Sequence, residues 1–407
     1  MTFRTLLLQL PALAFLPLVG CRRSTFPDYP ASYREFAYIA NSGSNTVTVL
    51  DLVFLRTDRT LSVGQNPTSI VANPLRPEIY VLNSASGSLS VIDTGSNNVV
   101  ATIPLRHNPS FLSVDRFGRR LFVANTDSGN LSVIDLDTRR TLTTVQTPAH
   151  PTSALISPDG RTVVVTLPDS GSIALFSAAL TPDSKAPQPA AAFESALTYR
   201  ASFSDCPGAT SPVILPDSSK VFVACPGSNQ VLALALAAAP DSWAAKQSSS
   251  ALTDHALVLL DVGLHPTHLT LKPDGGEIFV SNSAANSVSE ISTQTNEVGN
   301  TFPIGDVPAH GIVSSDNSAL WISNSGADSI SLYSIDDGKV ISSIRTGSAP
   351  DALAFSADQH LLLAADRKSG DVALIRTNSK LGPGLFTLLP AGTTPSAIAI
   401  KATALKP

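Results

Sequence analysis

The chain has little charge. Only 14% of its 407 residues are Asp, Glu, Lys or Arg, 27 of them basic and 32 acidic, for a formal net charge of −5. That balance excludes a general nucleic-acid binder, which needs a cationic face to displace counterions. Low charge combined with 43% apolar residues excludes a disordered chain. Cysteine occurs only at 21, 206 and 225, so no CxxCH haem attachment is encoded. HExxH, a GxSxG elbow and a phosphate-binding glycine loop are also missing. Beyond the leader, no run approaches the ~18 apolar residues that suggest a membrane-spanning helix. A single Met against 30 Pro and 24 Gly indicates many turns and few helices.

What is present begins with an address. One positive charge in residues 1–4 precedes an apolar run over 6–18 that contains two prolines. This run is too short to span a bilayer and reads as the core of a signal peptide, residues 1–20. It ends in Leu18-Val19-Gly20-Cys21, which resembles the bacterial lipobox. The resemblance implies a diacylglycerol on the Cys21 thiol and, after cleavage, an acylated (palmitate-type) amine, which suffices for stable membrane anchoring. Arg22 follows the cysteine, rather than the Asp that resembles an inner-membrane retention signal. The expected location is therefore the outer membrane, extracytoplasmic. Residues 21–35 lack apolar periodicity and read as a tether.

The rest is repetitive. Pro67, Pro109 and Pro151 recur at intervals of 42 residues, as do Pro266, Pro308 and Pro350. After each Pro comes a short apolar run and a turn. Next comes a β-branched or aromatic run ending in Asn: IYVLN (79–83), LFVAN (121–125), IFVSN (278–282), LWISN (320–324). A polar turn, a third run such as LSVID (89–93 and 131–135), and a fourth run complete the unit. Four short strands bounded by turns form one antiparallel sheet that cannot bury its own faces, so copies must stack. Radial stacking gives a β-propeller, an all-β fold of four-stranded antiparallel blades.

Two enlarged units fill residues 151–265, where Pro158/Pro216 and Pro182/Pro240 are each 58 apart. Second strands are counted near Phe36, Ile79, Leu121, Thr162, Lys220, Glu277, Ala319 and His360. Eight blades are favoured, with seven as the alternative if 350–394 is irregular. Residues 36–66 lack a first strand, whereas 395–400 form one with nothing after it. Both termini therefore close the ring in one blade of a single 36–400 domain, leaving 401–407 as a tail.

The Tyr/Phe-Val-x-Asn strand ends, Pro-Asp-Gly turns and Val-Ile-Asp strands resemble the YVTN family of propeller repeats. That resemblance implies fold and leaves function open, because similar repeats occur in bacterial surface proteins, lactonases and nitrous-oxide reductases.

The repeated Asn41, Asn83, Asn125, Asn282 and Asn324 read as turn stabilisers bonding nearby backbone, and Asp51, Asp93 and Asp135 as turn closers. His268 and His310 each sit two residues after a repeat proline, while His150 and His265 directly precede one. These positions ring one mouth of the central channel, where imidazoles can hold copper, zinc or an anion. No cofactor is required by the sequence. Cys206 and Cys225 suggest a disulfide in an exported protein, with two free thiols as the alternative. The inserts at 178–206 and 237–263, carrying Phe193, Tyr199 and Trp243, are expected to project from one face as partner-binding loops. The resulting expectation is a lipid-anchored propeller that binds a protein or envelope polymer. The alternative is a lactonase-like hydrolase or metal-binding propeller working at the channel mouth. A carboxylate beside His268 and His310 would favour the alternative.

Overall fold

The computed structural model describes residues 27–178, 197–238, 253–378 and 382–404. Cys21, Phe193 and Trp243 lie outside them. The described strands form eight four-stranded antiparallel sheets arranged as the blades of a propeller. In chain order, blades 2 to 8 begin with inner strands at Pro67, Pro109, Ser153, Thr210, Pro266, Pro308 and Pro350. Blade 1 is completed by both ends of the chain: Pro395–Ala404 is its inner strand and pairs with Tyr33–Asn41. The closing strand continues to Ala404, beyond residue 400, because Tyr33, Arg34 and Glu35 extend the ladder opposite it.

Burial follows position in the blade. Second and third strands such as Glu78–Asn83 and Ser88–Asp93 are buried along nearly their whole length. Both faces of each sheet pack on neighbouring sheets, so second strands such as EIYVLN run continuously apolar to their final Asn, while third strands such as SLSVID bury small hydroxyl side chains between the aliphatic ones. The outer strands, for example Arg56–Ser62, are mostly exposed. Every pairing of a third with a fourth strand shifts register at the same step, as at Val91/Ile92 and Leu374/Ile375. The extra residue increases the local twist that each blade needs.

The repeated Asn side chains are structural, but their partners are side chains rather than backbone: Ser or Thr hydroxyls, and for Asn125 also the Asn130 amide oxygen. Asn83 Nδ2 donates to Ser88 and Ser90 at 3.2 and 3.0 Å, and Asn282 Nδ2 to Ser287 and Ser289 at 3.3 and 3.0 Å. Asp51 and Asp135 accept backbone N–H groups of the following turn, as expected. Blade 8 breaks this pattern: Asp366 replaces the Asn, opposite Asp371, and Ala373 stands where the second hydroxyl would be.

In enlarged blade 5, a disulfide joins Cys206 and Cys225, tying the segment that leads into the inner strand to the end of the second strand. Arg200 of blade 4 makes a bidentate pair with Asp254 of blade 5, with Nη2 at 2.7 Å from Oδ1. Among the described residues no helix is long and apolar enough to cross a membrane.

The alternation of strands gives the ring two unlike faces. Turns between second and third strands, and connections between blades, lie on one face. Turns between first and second strands, and between third and fourth, lie on the other. The strand ends that flank the two enlarged 3–4 connections, Ala178 and Leu197 in blade 4 and Ala235 and His255 in blade 5, lie on the second face.

Candidate functional site

A cavity of about 1060 Å³ opens on the first face, against the inner strands of blades 6, 7, 8 and 1. Its wall includes His268, His310, Asp351, Arg367, Lys368 and Thr393. The repeat proline starts each of these inner strands at the channel mouth, and a register shift just after Pro266, Pro308 and Pro350 breaks the usual alternation, so residues one or two steps after the proline reach the cavity wall. This is how His268 of Pro266–Leu271, His310 of Pro308–Val313 and Asp351 of Pro350–Phe355 come together from three consecutive blades.

The two imidazole rings are 4.3 Å apart between centroids and inclined at 53°. His310 Nδ1 lies 2.6 Å from Asp351 Oδ1, and Arg367 Nη1 donates to Asp351 Oδ2 at 3.0 Å. The Asp351 backbone is held as well, since Ser323 Oγ donates to its carbonyl at 2.8 Å. A carboxylate only accepts, so His310 carries its proton on Nδ1 and presents Nε2 as an acceptor. On the other ring, His268 Nδ1 is 3.3 Å from Ser211 Oγ, which itself accepts the Leu269 N–H at 2.9 Å.

Burial pushes the Asp351 carboxyl up, but the bond to His310 and the charges of His310 and Arg367 outweigh it. The group titrates below the usual carboxylate range. Desolvation, followed by the nearby His310, holds His268 well below the ordinary histidine value despite the opposing charge of Asp351. At neutral pH the site thus contains one anionic carboxylate, a neutral His268, and two cations from the turn 367–370. Among the described residues no three His, Cys, Asp or Glu side chains converge as a metal ion would need.

Of the four histidines expected at the mouth, only two line this cavity. His150 is exposed and pairs with Asp169 at 3.1 Å. His265, also exposed, bonds Ser283 Oγ at 3.1 Å. Both immediately precede the proline, in the interblade connection, and neither is among the residues of the cavity wall. Tyr199 lies in the outer strand Leu197–Phe203, half exposed and edge-on to Phe176.

Asp351, Arg367 and Ser211 were not singled out from sequence, although departures from the repeat mark the first two. Of the seven repeat prolines only Pro350 is followed by a charged residue. Only blade 8 places cations in the turn between second and third strands, RKSG at 367–370, where the other seven blades have small, polar, proline or acidic residues such as SGSN (42–45), TDSG (126–129) and PGSN (226–229).

Solved structures similar to the chain share its fold at low identity. The dihydro-haem d1 dehydrogenase NirN in complex with DHE is 15% identical with a TM-score of 0.68, over 97% of this chain and 78% of that one. A 6-phosphogluconolactonase candidate from Bacteroides fragilis is 14% identical with a TM-score of 0.59, over 92% of this chain and all of the other. A second such candidate, from Bacteroides uniformis, is 18% identical with a TM-score of 0.56, over 90% and 99%. No curated protein matches the chain. The family described as "Lactonase, 7-bladed beta-propeller" matches residues 93–387, from the end of the third strand of blade 2 to the outer strand of blade 8. With that match covering most of its length, the chain belongs to the lactonase β-propeller family, as a member whose ring has eight blades rather than seven.

Proposed function

We propose that this chain is a lactonase-type hydrolase whose reaction takes place in the cavity at the channel mouth. The observation that carries this reading is the Arg367–Asp351–His310 array, with its 3.0 and 2.6 Å contacts, beside His268. His310 Nε2 takes a proton from water, and the Asp351 carboxylate stabilises the imidazolium that forms. The hydroxide adds to the lactone carbonyl. His268 assists if Ser211 donates to its Nδ1, because its Nε2–H is then a donor for the developing oxyanion. The ring oxygen leaves with the proton from His310, giving a hydroxy-acid. Arg367 and Lys368 at the rim favour lactones that bear an anionic substituent.

An envelope scaffold that binds through its long loops has less support. The family match and the lactonase-candidate propellers of similar fold favour the hydrolase instead. Lipid anchoring through Cys21, with an outer-membrane location, remains part of the proposal on the strength of the leader sequence. The test is pH-stat hydrolysis of a panel of aldonolactones, phosphorylated and uncharged, by the full-length protein. Turnover that falls ~10²–10⁴-fold in His310→Ala supports the reading. Turnover unaffected by His310→Ala and Asp351→Asn together would overturn it.

A further inference from the structure

The face opposite the cavity is uneven. In blades 1, 2 and 3 three apolar side chains stand at turn tips: Phe54, 61% exposed, Leu75, 71%, and Phe117, 37%. Each has an arginine beside it. The Arg56 guanidinium lies 5.3 Å from the Phe54 ring and that of Arg116 4.6 Å from the Phe117 ring. Arg76 directly follows Leu75. The tips are held firmly. Asn73 Oδ1 accepts the N–H groups of Leu75 and Arg76, while Asn73 Nδ2 donates to Gly118 O in the next blade at 2.9 Å. Gly118 itself sits at φ +62 with its α-carbon against Asn73, leaving no room for a side chain.

Acidic groups in this sector are engaged: Asp137 with Arg76, Glu78 with Arg139, buried Asp115 with Arg120 and Asp58 with Arg59, while Asp51, Asp93 and Asp135 accept the N–H groups of their own turns. Arg56, Arg116 and Arg119 make no ion pair among the described residues. Across the ring the same face carries Asp217, Asp274, Asp316, Asp336 and Asp337 in the corresponding turns of blades 5, 6 and 7, of which Asp274 pairs with Lys272 and Asp337 with Lys339. A chain with net charge −5 thus gathers a cationic, apolar-tipped sector at one edge of one face.

The N-terminal segment enters on the same face, at the boundary between blades 8 and 1. Tyr33 begins its strand on this face, and Tyr29 is pinned beside it, stacked on Tyr33 at 4.7 Å and donating to Asp358 Oδ2 at 2.8 Å. Eight residue steps separate Tyr29 from Cys21, a reach of at most ~28 Å.

We propose that this sector of blades 1–3 docks on a bilayer with anionic headgroups, the apolar tips entering the interface and the arginines meeting phosphates. The inference rests on the anchor reading of Cys21, from which the short reach follows. It orients the enzyme: the cavity opens on the face turned away from the membrane.

The test uses the full chain reconstituted into phosphatidylglycerol-containing vesicles, with its mass read for acyl groups. A bimane label is placed at Leu75→Cys on the proposed docking face or at Ala327→Cys on the cavity face. With Cys21 acylated, quenching by brominated lipid at 75 but not at 327 supports the proposal. Quenching at neither position, or only at 327, overturns it while the anchor stands. If Cys21 carries no acyl group, the anchor reading fails and the face is judged by vesicle co-sedimentation. Binding to anionic vesicles that drops at least ~10-fold in Phe54→Ser/Leu75→Ser/Phe117→Ser supports docking. No binding, or binding indifferent to that variant, overturns it. These three side chains are exposed, so the variant retains its core.

Discussion

Replacing Asp366 by Asn should stabilise the ring, and increasingly so at higher pH. Asp366 is fully buried at the end of the strand Leu361–Asp366, directly opposite Asp371. Burial first, then the bond to Asp371 and its charge, carry the carboxyl from its ordinary 3.8 to about 8, against the Gly347 N–H, which favours the anion. The pair titrates as a unit holding one proton. Around and below pH 4 the unfolded chain also keeps most of that proton, so folding bears little penalty. Between pH 4 and 8 the unfolded chain releases it while the folded one retains it. Stability therefore falls with rising pH and levels off above 8. At ~1.4 kcal/mol for each tenfold change in proton affinity the ceiling is ~6 kcal/mol. Asp371 is only half-buried and can relax toward solvent, so about 2 kcal/mol at pH 9 is expected from Asp366→Asn, whose Nδ2 can donate to the Asp371 carboxylate. At pH 4 the variant should differ little from the parent. Thermal or urea unfolding from pH 4 to 9 measures this. A gain independent of pH, or a loss of stability at pH 9, would refute the shared-proton account.

Three further outcomes follow from named contacts. Removing the disulfide with Cys206→Ser/Cys225→Ser frees a loop of about 20 residues and should cost ~3 kcal/mol in denaturant titrations; a fall of well under 1 kcal/mol would contradict this. Asp115→Ala strands the buried guanidinium of Arg120, 3.1 Å away, and exposes two turn N–H groups to an unpaired state, for a loss of about 3 kcal/mol visible as a lower unfolding midpoint. In the lactonase assay, kcat and KM are compared across pH for the parent and for variants at Asp351 and Lys368. Asp351→Asn should depress the whole profile by ~10²-fold or more, whereas Lys368→Ala should chiefly raise KM for anionic lactones.

Much of the fold was legible because a propeller repeats its packing problem. Each blade must bury two faces, so IYVLN, LFVAN and their counterparts recur, and the Pro spacing marks blade length directly. The unmatched strand at 395–400 even revealed how the ring closes. The site was legible only in part. His268 and His310 stood out because histidine is rare here, but Asp351 looked like one more turn acid in a sequence full of them. Its meaning depends on the step after Pro350 facing the same space as the step two residues after Pro308.

Periodicity by itself determined the architecture, the closure and the uneven blade sizes, since every repeat copies the same local pattern of burial and turn. Which face holds the chemistry was decided only in three dimensions. His268, His310 and the Asp351–Arg367 pair come from three different blades, with 42 residues from 268 to 310 and 41 from 310 to 351, so no short window of sequence contains them all. Curving the sheets into a ring brings them within bonding distance. The same closure separates the cavity from the arginine-flanked tips of Phe54, Leu75 and Phe117, because successive antiparallel strands send alternate turns to opposite faces.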